Sequence, residues 1–303
     1  MSHKARLVAA LPMFIAAVFV ASLAVGRPAH SGSQTQGQAT RPTSPRLYVF
    51  DCGKLKLGDT SVYGFAPNDL ATAEMSVPCF LVAHPKGTLM WDAGVLPDKD
   101  LTSGQSVSRG NPGSSAMATV TKPLKAQLAE AGYSTGDITY LALSHCHWDH
   151  TANANDFAHA TWLVRQEERD AMFAQPPTFA RCLTSETFSA LKDSKTVILK
   201  RDEYDVFGDG TVIIKSAPGH TPGHQVLFVK LRNTGAVLLS GDLYHYPEER
   251  AQKRVPKTDF NREQTAASRA AIEAFLKKTG AQLWIQHDMT DNAKLKKAPA
   301  YYD

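Results

Sequence analysis

Residues 144–150 read Ser144-His145-Cys146-His147-Trp148-Asp149-His150, three imidazoles and a carboxylate within six positions. The stretch directly follows a short apolar run at 138–143, which has the composition of a buried strand. In extended chain, side chains two residues apart point the same way, so His145 and His147 can reach one ion together. Asp149 and His150, where the chain turns toward its next element, can face a second ion beside it. Imidazole and carboxylate are donors that suit a borderline ion such as zinc. A cluster of this size still leaves each ion short of ligands, so further donors are expected at other strand ends.

Three candidates follow in order, each just after an apolar strand-like run: His220 in Ala217-Pro218-Gly219-His220-Thr221-Pro222-Gly223-His224, Asp242 in Ser240-Gly241-Asp242, and His287 in Gln286-His287-Asp288. An earlier carboxylate, Asp92, ends a strand-like run in Trp91-Asp92-Ala93-Gly94. Periodicity places strands at 47–51, 77–84, 88–92, 161–164, 196–200, 204–207, 211–215, 225–231, 236–239 and 282–286, with helices starting after Pro123 and covering 166–173 and 263–279. Asp209-Gly210 is expected to make a tight turn between two of these strands. Residues 95–119, rich in Gly, Ser, Asp and Asn, are expected to form a long loop facing the substrate. Two strand-rich halves with helices alongside imply a mixed α/β (α+β) chain in which two packed sheets are flanked by helices.

On these motifs the chain resembles the metallo-β-lactamase superfamily, whose fold is a four-layer αββα sandwich, over nearly all of residues 47–303. The resemblance implies two divalent metal ions. His145, His147 and His220 would bind the first, Asp149, His150 and His287 the second, and Asp242 would bridge them, while Asp92 would support the motif loop through hydrogen bonds. Zinc is the expected metal, although iron, manganese and cobalt accept the same donors. Asp149 is expected to carry the proton to the leaving oxygen, and Tyr244, two residues past Asp242, to hydrogen-bond the developing oxyanion. His224 is expected to lie beside the ligands without being one. His245, His159 and His84 match no motif position and are expected to be surface or turn histidines.

Within the superfamily, the bridging Asp242, the run 218–225 and the compact ending after His287 resemble the N-acyl homoserine lactonases. The implied activity is ring-opening hydrolysis of an acyl lactone, a quorum-quenching reaction. One departure is that this family's oxyanion tyrosine lies three residues after the bridging aspartate, where this chain has His245 between Tyr244 and Tyr246. A β-lactamase would lack the aspartate that Asp242 supplies, and a thioester hydrolase of the glyoxalase II kind carries a helical segment after its last histidine, where only sixteen residues remain here. An exported metal-binding protein without turnover would show repetitive His-rich tracts rather than donors at separate strand ends.

The 303 residues carry 33 basic and 29 acidic side chains, a net charge of +4 with no long run of one sign, which gives nucleic-acid binding no support. The expected partner is a small-molecule acyl lactone. Lys4 and Arg6 precede an apolar run at 7–25 that ends in small residues. Residues 1–26 are therefore expected to be a signal peptide for secretion or the periplasm, 27–46 a flexible linker and 47–303 the hydrolase domain. Left uncleaved, the first segment would anchor the chain to a membrane. Oligomeric state, a homodimer among the options, is not fixed by these patterns. Of four cysteines, Cys52 and Cys79 are the expected disulfide pair, and Cys146 is expected to stay unbridged because a bond there would disturb the ligands; Cys182 is the fourth.

Overall fold

The computed structural model describes residues 41–303 apart from 67, 102–105, 111–114, 177–178 and 183–184. The expected signal peptide and the first fourteen residues of the expected linker lie outside the described residues. Fourteen strands are described: β1 (Arg46–Lys56), β2 (Glu74–His84), β3 (Gly87–Trp91), β4 (Val107–Gly110), β5 (Met117–Val120), β6 (Tyr140–Ala142), β7 (Thr161–Val164), β8 (Thr196–Ile198), β9 (Glu203–Asp205), β10 (Val212–Ser216), β11 (Gln225–Leu231), β12 (Gly235–Leu239), β13 (Gln282–Trp284) and β14 (Tyr301–Tyr302). The helices are α1 (Leu124–Glu130), α2 (Trp148–Thr151), α3 (Gln166–Phe173), α4 (Pro247–Gln252), α5 (Arg262–Thr279) and α6 (Met289–Asn292). Among the described residues, no helix is long and apolar enough to cross a membrane.

Nine strands form one sheet in the order β4-β5-β1-β2-β3-β6-β7-β8, with β14 beside the first part of β1, and five form the other in the order β13-β12-β11-β10-β9. The layers follow from strand alternation. Leu47, Val49, Phe80 and Val82 face inward and join Val212, Ile214, Leu227, Val229, Val237 and Leu239 in the core between the sheets. The alternate residues Tyr48, Phe50, Cys79 and Leu81 face outward into a second core that includes Leu124 and Leu128 of α1 and Ala171 and Met172 of α3. On the far side, Val226 and Leu238 meet Ile272 and Leu276 of α5. Three apolar layers separated by two sheets make the αββα sandwich.

Some local expectations are corrected. Residues 95–119 are not one long loop, because Val107–Gly110 and Met117–Val120 pair as an antiparallel hairpin that extends the first sheet alongside β1. The sparse apolar residues are spaced at period two, so Ala118 and Val120 suffice to bury that strand. Asp98, in the same stretch, caps α1 by accepting from the backbone N–H groups of Leu124 and Lys125, both at 2.8 Å. The expected tight turn at Asp209-Gly210 is a longer connection, closed by Asp205, whose carboxylate accepts from the backbone of Gly208 and Gly210.

Cys52 and Cys79 are disulfide-bonded, and so are Cys146 and Cys182, with Cα atoms 5.2 Å apart. The expectation that Cys146 stays unbridged fails for a geometric reason. Cys146 alternates with His145 and His147, so its sulfur points into the outer core while the imidazoles point toward the opposite side.

Candidate metal centre

The donors collect along one rim of the sandwich. His145 and His147 follow β6, Asp149 and His150 lie in the short helix α2, and His220 sits in the β10–β11 connection. Asp242 lies in a 3₁₀ turn (Gly241–Leu243) after β12, and His287 follows β13. β3 and β6 run parallel, as do β12 and β13, so residues leaving those strands emerge at their carboxyl ends.

All seven expected ligands are buried and come together in two groups, each able to hold an ion: His145, His147, His220 and Asp242 in one, and Asp149, His150 and His287 in the other. His147 Nδ1 lies 2.9 Å from both His145 Nε2 and His220 Nε2. His150 Nε2 and His287 Nε2 are 3.3 Å apart, with Asp149 Oδ2 at 3.7 and 3.5 Å from them. Asp242 stands between the groups. Its Oδ2 is 3.5 Å from His145 Nε2 and 3.2 Å from His220 Nε2, while its Oδ1 is 3.1 Å from His150 Nε2 and 3.0 Å from His287 Nε2.

The outward ring nitrogens decide the tautomer of four of the five imidazoles; His147 Nε2 is buried with no partner among the described residues. His150 Nδ1 donates to Asp92 Oδ2 at 2.9 Å, His220 Nδ1 to Asp259 Oδ1 at 2.9 Å, His287 Nδ1 to the Ser76 carbonyl at 2.7 Å, and His145 Nδ1 to Ser144 Oγ at 3.0 Å. With the proton held on those atoms, the inner nitrogens present lone pairs to one another at about hydrogen-bond distance. Such an arrangement repels itself unless a cation lies among the lone pairs. Asp242 Oδ1, buried with no hydrogen-bond partner, is a second mark of the same kind. The donor set therefore fits a pair of divalent ions.

Burial and neighbouring charge move the donors in different directions. Burial, reinforced by the positive charge of neighbouring groups, holds His145 and His147 well below the ordinary histidine range, so both are neutral. Burial alone would push the Asp242 carboxyl up, but His287, His150, His145 and His245 hold it well below the ordinary carboxylate range. His150 and His220 move the other way, because the carboxylates of Asp242 with Asp92, and of Asp242 with Asp259, outweigh the burial that would lower them.

A shell of buried polar side chains fixes the donors. Asp92 adopts a left-handed backbone, φ 60°, uncommon for a residue with a side chain. Its carboxylate accepts from the Ser144 backbone at 2.6 Å, Ser144 Oγ at 3.0 Å, His150 and Gln286 Nε2 at 2.9 Å. Glu168 of α3 ties the two histidine loops together by accepting from Cys146 N at 2.6 Å and from Thr221 Oγ1 and Gly223 N at 2.8 Å. His224 accepts from the Asp242 backbone N–H through Nε2 at 2.9 Å and donates from Nδ1 to the Ala217 carbonyl. Burial keeps it neutral, pushed down to about 3. Two glycines admit these close approaches. A Cβ on Gly219, φ 132°, would lie 2.2 Å from the Thr265 backbone nitrogen, and one on Gly241, φ 49°, would lie 2.6 Å from His224 Nε2.

Two expected roles are corrected. Tyr244 does not face the donors: its hydroxyl donates to Glu273 Oε1 of α5 at 3.1 Å, its ring lies 4.3 Å below the Arg269 guanidinium, and its neighbours belong to the apolar layer under α5, with Ile272 and Leu276. The chain is extended at Tyr244, φ −140° and ψ 137°, so the next residue turns the opposite way. That residue is His245, which is buried rather than on the surface, with Nε2 3.1 Å from Asp242 Oδ2 and Nδ1 3.1 Å from Glu249 Oε1. His84 is also buried, stacked 4.1 Å from the Phe207 ring, whereas His159 is exposed. Glu168, Asp259 and Gln286 carried no signal in the sequence, since each acts across a long separation with no spacing to mark it.

Residues 73–287 match the family model described as the metallo-beta-lactamase superfamily. The chain belongs to that superfamily. It is 30% identical over 271 residues to the N-acyl homoserine lactonase AttM of Azorhizobium caulinodans, covering 86% of this chain and all of the relative. It is also 30% identical over 270 residues to AttM of Agrobacterium fabrum, covering 86% of this chain and 99% of that one. Among solved structures, a B. thuringiensis AiiA variant with N-decanoyl-L-homoserine bound at its active site superposes with a TM-score of 0.71 at 24% identity, over 86% of this chain and all of that one. This superfamily member therefore shares its fold with AiiA and aligns, at 30% identity, along nearly the full length of the AttM relatives.

Asp259 offers a direct test of the shell around this member's donors. Its carboxylate holds His220 and is itself held by Thr265 Oγ1 at 2.7 Å. Asp259→Ala is expected to weaken metal affinity roughly 10- to 100-fold, the usual effect of removing such a partner. Asp259→Asn, which can still accept from Nδ1, should lose less. Competition with a chromophoric chelator measures both, and equal affinities in parent and Ala variant would remove Asp259 from this role.

Proposed function

We propose that this protein is a two-metal hydrolase that opens N-acyl homoserine lactones, working outside the cytoplasm with zinc as its native ion. The observation that carries the reading is the Asp242 carboxylate, one oxygen toward each histidine group, in a chain aligned over 86% of its length with a lactonase. Roles proposed for the donors follow their placement: His145, His147 and His220 on one ion, Asp149, His150 and His287 on the other, Asp242 on both. The proposal of zinc rests on the imidazole and carboxylate donors. Export is supported by the apolar run at 7–25 and by two disulfides, which persist in oxidising compartments.

A bound ion pair would supply Lewis acidity and a water acidified to a pKa of about 7. The chain's own residues do the rest. Buried imidazoles and the Asp242 carboxylate orient the site without reorganising during the reaction. Asp149 directs Oδ2 toward His150 and His287, and among the described residues its other oxygen accepts no hydrogen bond from protein, which leaves that oxygen to take the proton of the attacking water. As the ring C–O bond breaks, the leaving alkoxide takes that proton, and the products are one alcohol and one carboxylic acid, which ionises by giving its proton to solvent.

Metal-quantified protein mixed with an N-acyl homoserine lactone is expected to yield a product heavier by one water. A chelator should abolish the reaction and zinc restore it. A lactone left intact while a β-lactam or a thioester is hydrolysed would overturn the reading.

A further inference from the structure

Three phenols are to be compared near His245, one of them the Tyr244 that turns away. Tyr244 is committed to Glu273. Tyr246 is sealed in the outer core, its hydroxyl buried without a partner. Tyr63, from the connection between β1 and β2, is half-buried, and its hydroxyl has no protein partner among the described residues.

Tyr63 is held from several sides. The Asp59 carboxylate accepts from the Ser61 backbone at 2.8 Å and from its hydroxyl at 3.0 Å, which shapes the 3₁₀ turn Ser61–Tyr63. The Val62 carbonyl accepts from the Lys257 backbone at 3.0 Å, and Arg254 donates to the Gly64 carbonyl. The Tyr63 ring lies 4.5 Å from the His245 ring and 5.7 Å edge-on from Tyr246. His245 in turn lies 4.9 Å from His220 and 5.9 Å, in parallel stack, from His287. One imidazole thus separates Tyr63 from histidines of both groups.

We propose that Tyr63 is the phenol of this site, donating a hydrogen bond to the substrate carbonyl oxygen as that oxygen takes up charge. The inference rests on the ester-hydrolase reading above. The carbonyl π pair moves to the oxygen as water adds to the carbon, and returns when the ring C–O bond breaks. Tyr63 keeps its proton throughout, and Asp149 carries the transferred one.

Burial, with the carboxylates of Asp242 and Asp149 adding to it and Arg181 opposing, pushes the Tyr63 phenol well above its ordinary range, so it keeps its proton. A phenol is protonated at neutral pH in any case, with an ordinary pKa of about 10.

The test uses Tyr63→Phe and Tyr63→Leu in the metal-loaded full chain. Tyr63→Phe keeps the ring on His245 and is expected to lower kcat roughly 10²-fold, the lower end for loss of one such donor. KM and bound metal should stay near the parent's. Tyr63→Leu, which also removes the ring, should lose at least as much. A parent-like kcat in Tyr63→Phe with a loss only in Tyr63→Leu would reduce Tyr63 to packing and overturn the proposal.

Calorimetric titration with ethyl hexylphosphonate, an anionic tetrahedral probe, gives a readout independent of turnover. Tyr63→Phe should bind it at least about tenfold more weakly, and equal affinity would also overturn the proposal. If the parent opens no lactone yet binds the phosphonate in a Tyr63-dependent way, the lactone reading falls and the role of Tyr63 stands.

Discussion

Asp242→Asn is expected to cost both turnover and metal. The carboxylate is 4% exposed and lies 3.0 to 3.5 Å from His145, His150, His220, His287 and His245, so it is the one group shared by every part of the centre. The substitution preserves shape while removing the charge, and it forces an amide nitrogen toward one histidine group, where an acceptor is needed. Breaking a buried charge pair from one side costs about 3–5 kcal/mol, which at 1.4 kcal/mol per decade corresponds to roughly two to four decades in an equilibrium or rate. A fall in kcat/KM on the order of 10²- to 10⁴-fold should accompany a drop in bound metal, measured by elemental analysis of dialysed protein. Full metal content with parental kcat/KM would show that the bridging role belongs elsewhere.

The second large effect lies behind the centre. Arg269 of α5, 6% exposed, donates from Nη2 to Glu249 at 2.6 Å, from Nε to the Leu243 carbonyl at 2.7 Å, and to the Arg254 carbonyl. Glu249 is fully buried and also holds His245, which Glu249 and Asp242 push up to about 10 against a burial effect that would lower it. Arg269→Met would leave the Glu249 carboxylate without its guanidinium and two carbonyls without donors. The expected loss is about 3–5 kcal/mol. At 2–4 °C per kcal/mol for a domain near this size, Tm should fall by roughly 6–20 °C. Pairing it with Glu249→Leu, which removes the stranded charge, should recover part of the loss. A Tm within about 2 °C of the parent in the single variant would show that this network contributes little.

Tyr244 and His245 show how far one residue of backbone direction matters. Their order in the chain is plain, but which of them faces Asp242 depends on how the 3₁₀ turn at 241–243 releases the chain into extended backbone. A shift of one position exchanges the two faces. Cys146 repeats the point: its neighbours' spacing located the donors, and the same alternation sends its own sulfur into the outer core, where Cys182 meets it. Asp259, Glu168 and Gln286 act over separations of 39, 55 and 194 residues, and no local pattern announces such partners.

By itself the sequence determined two packed sheets flanked by helices and singled out seven donors at strand ends, while the αββα layering, the donors' roles and the kinship with the lactonases came through the resemblance that those motifs carry. The pattern and the motifs rest on alternation along strands and on short spacings, which are properties of neighbouring residues. Only the tertiary structure decided that His245 rather than Tyr244 lies on Asp242, that Asp92, Asp259 and Glu168 hold the histidine loops, and that Tyr63 stands next to the centre. Each of those depends on where distant loops meet along one rim of the sandwich, a placement set by the packing of two sheets rather than by any local run of residues.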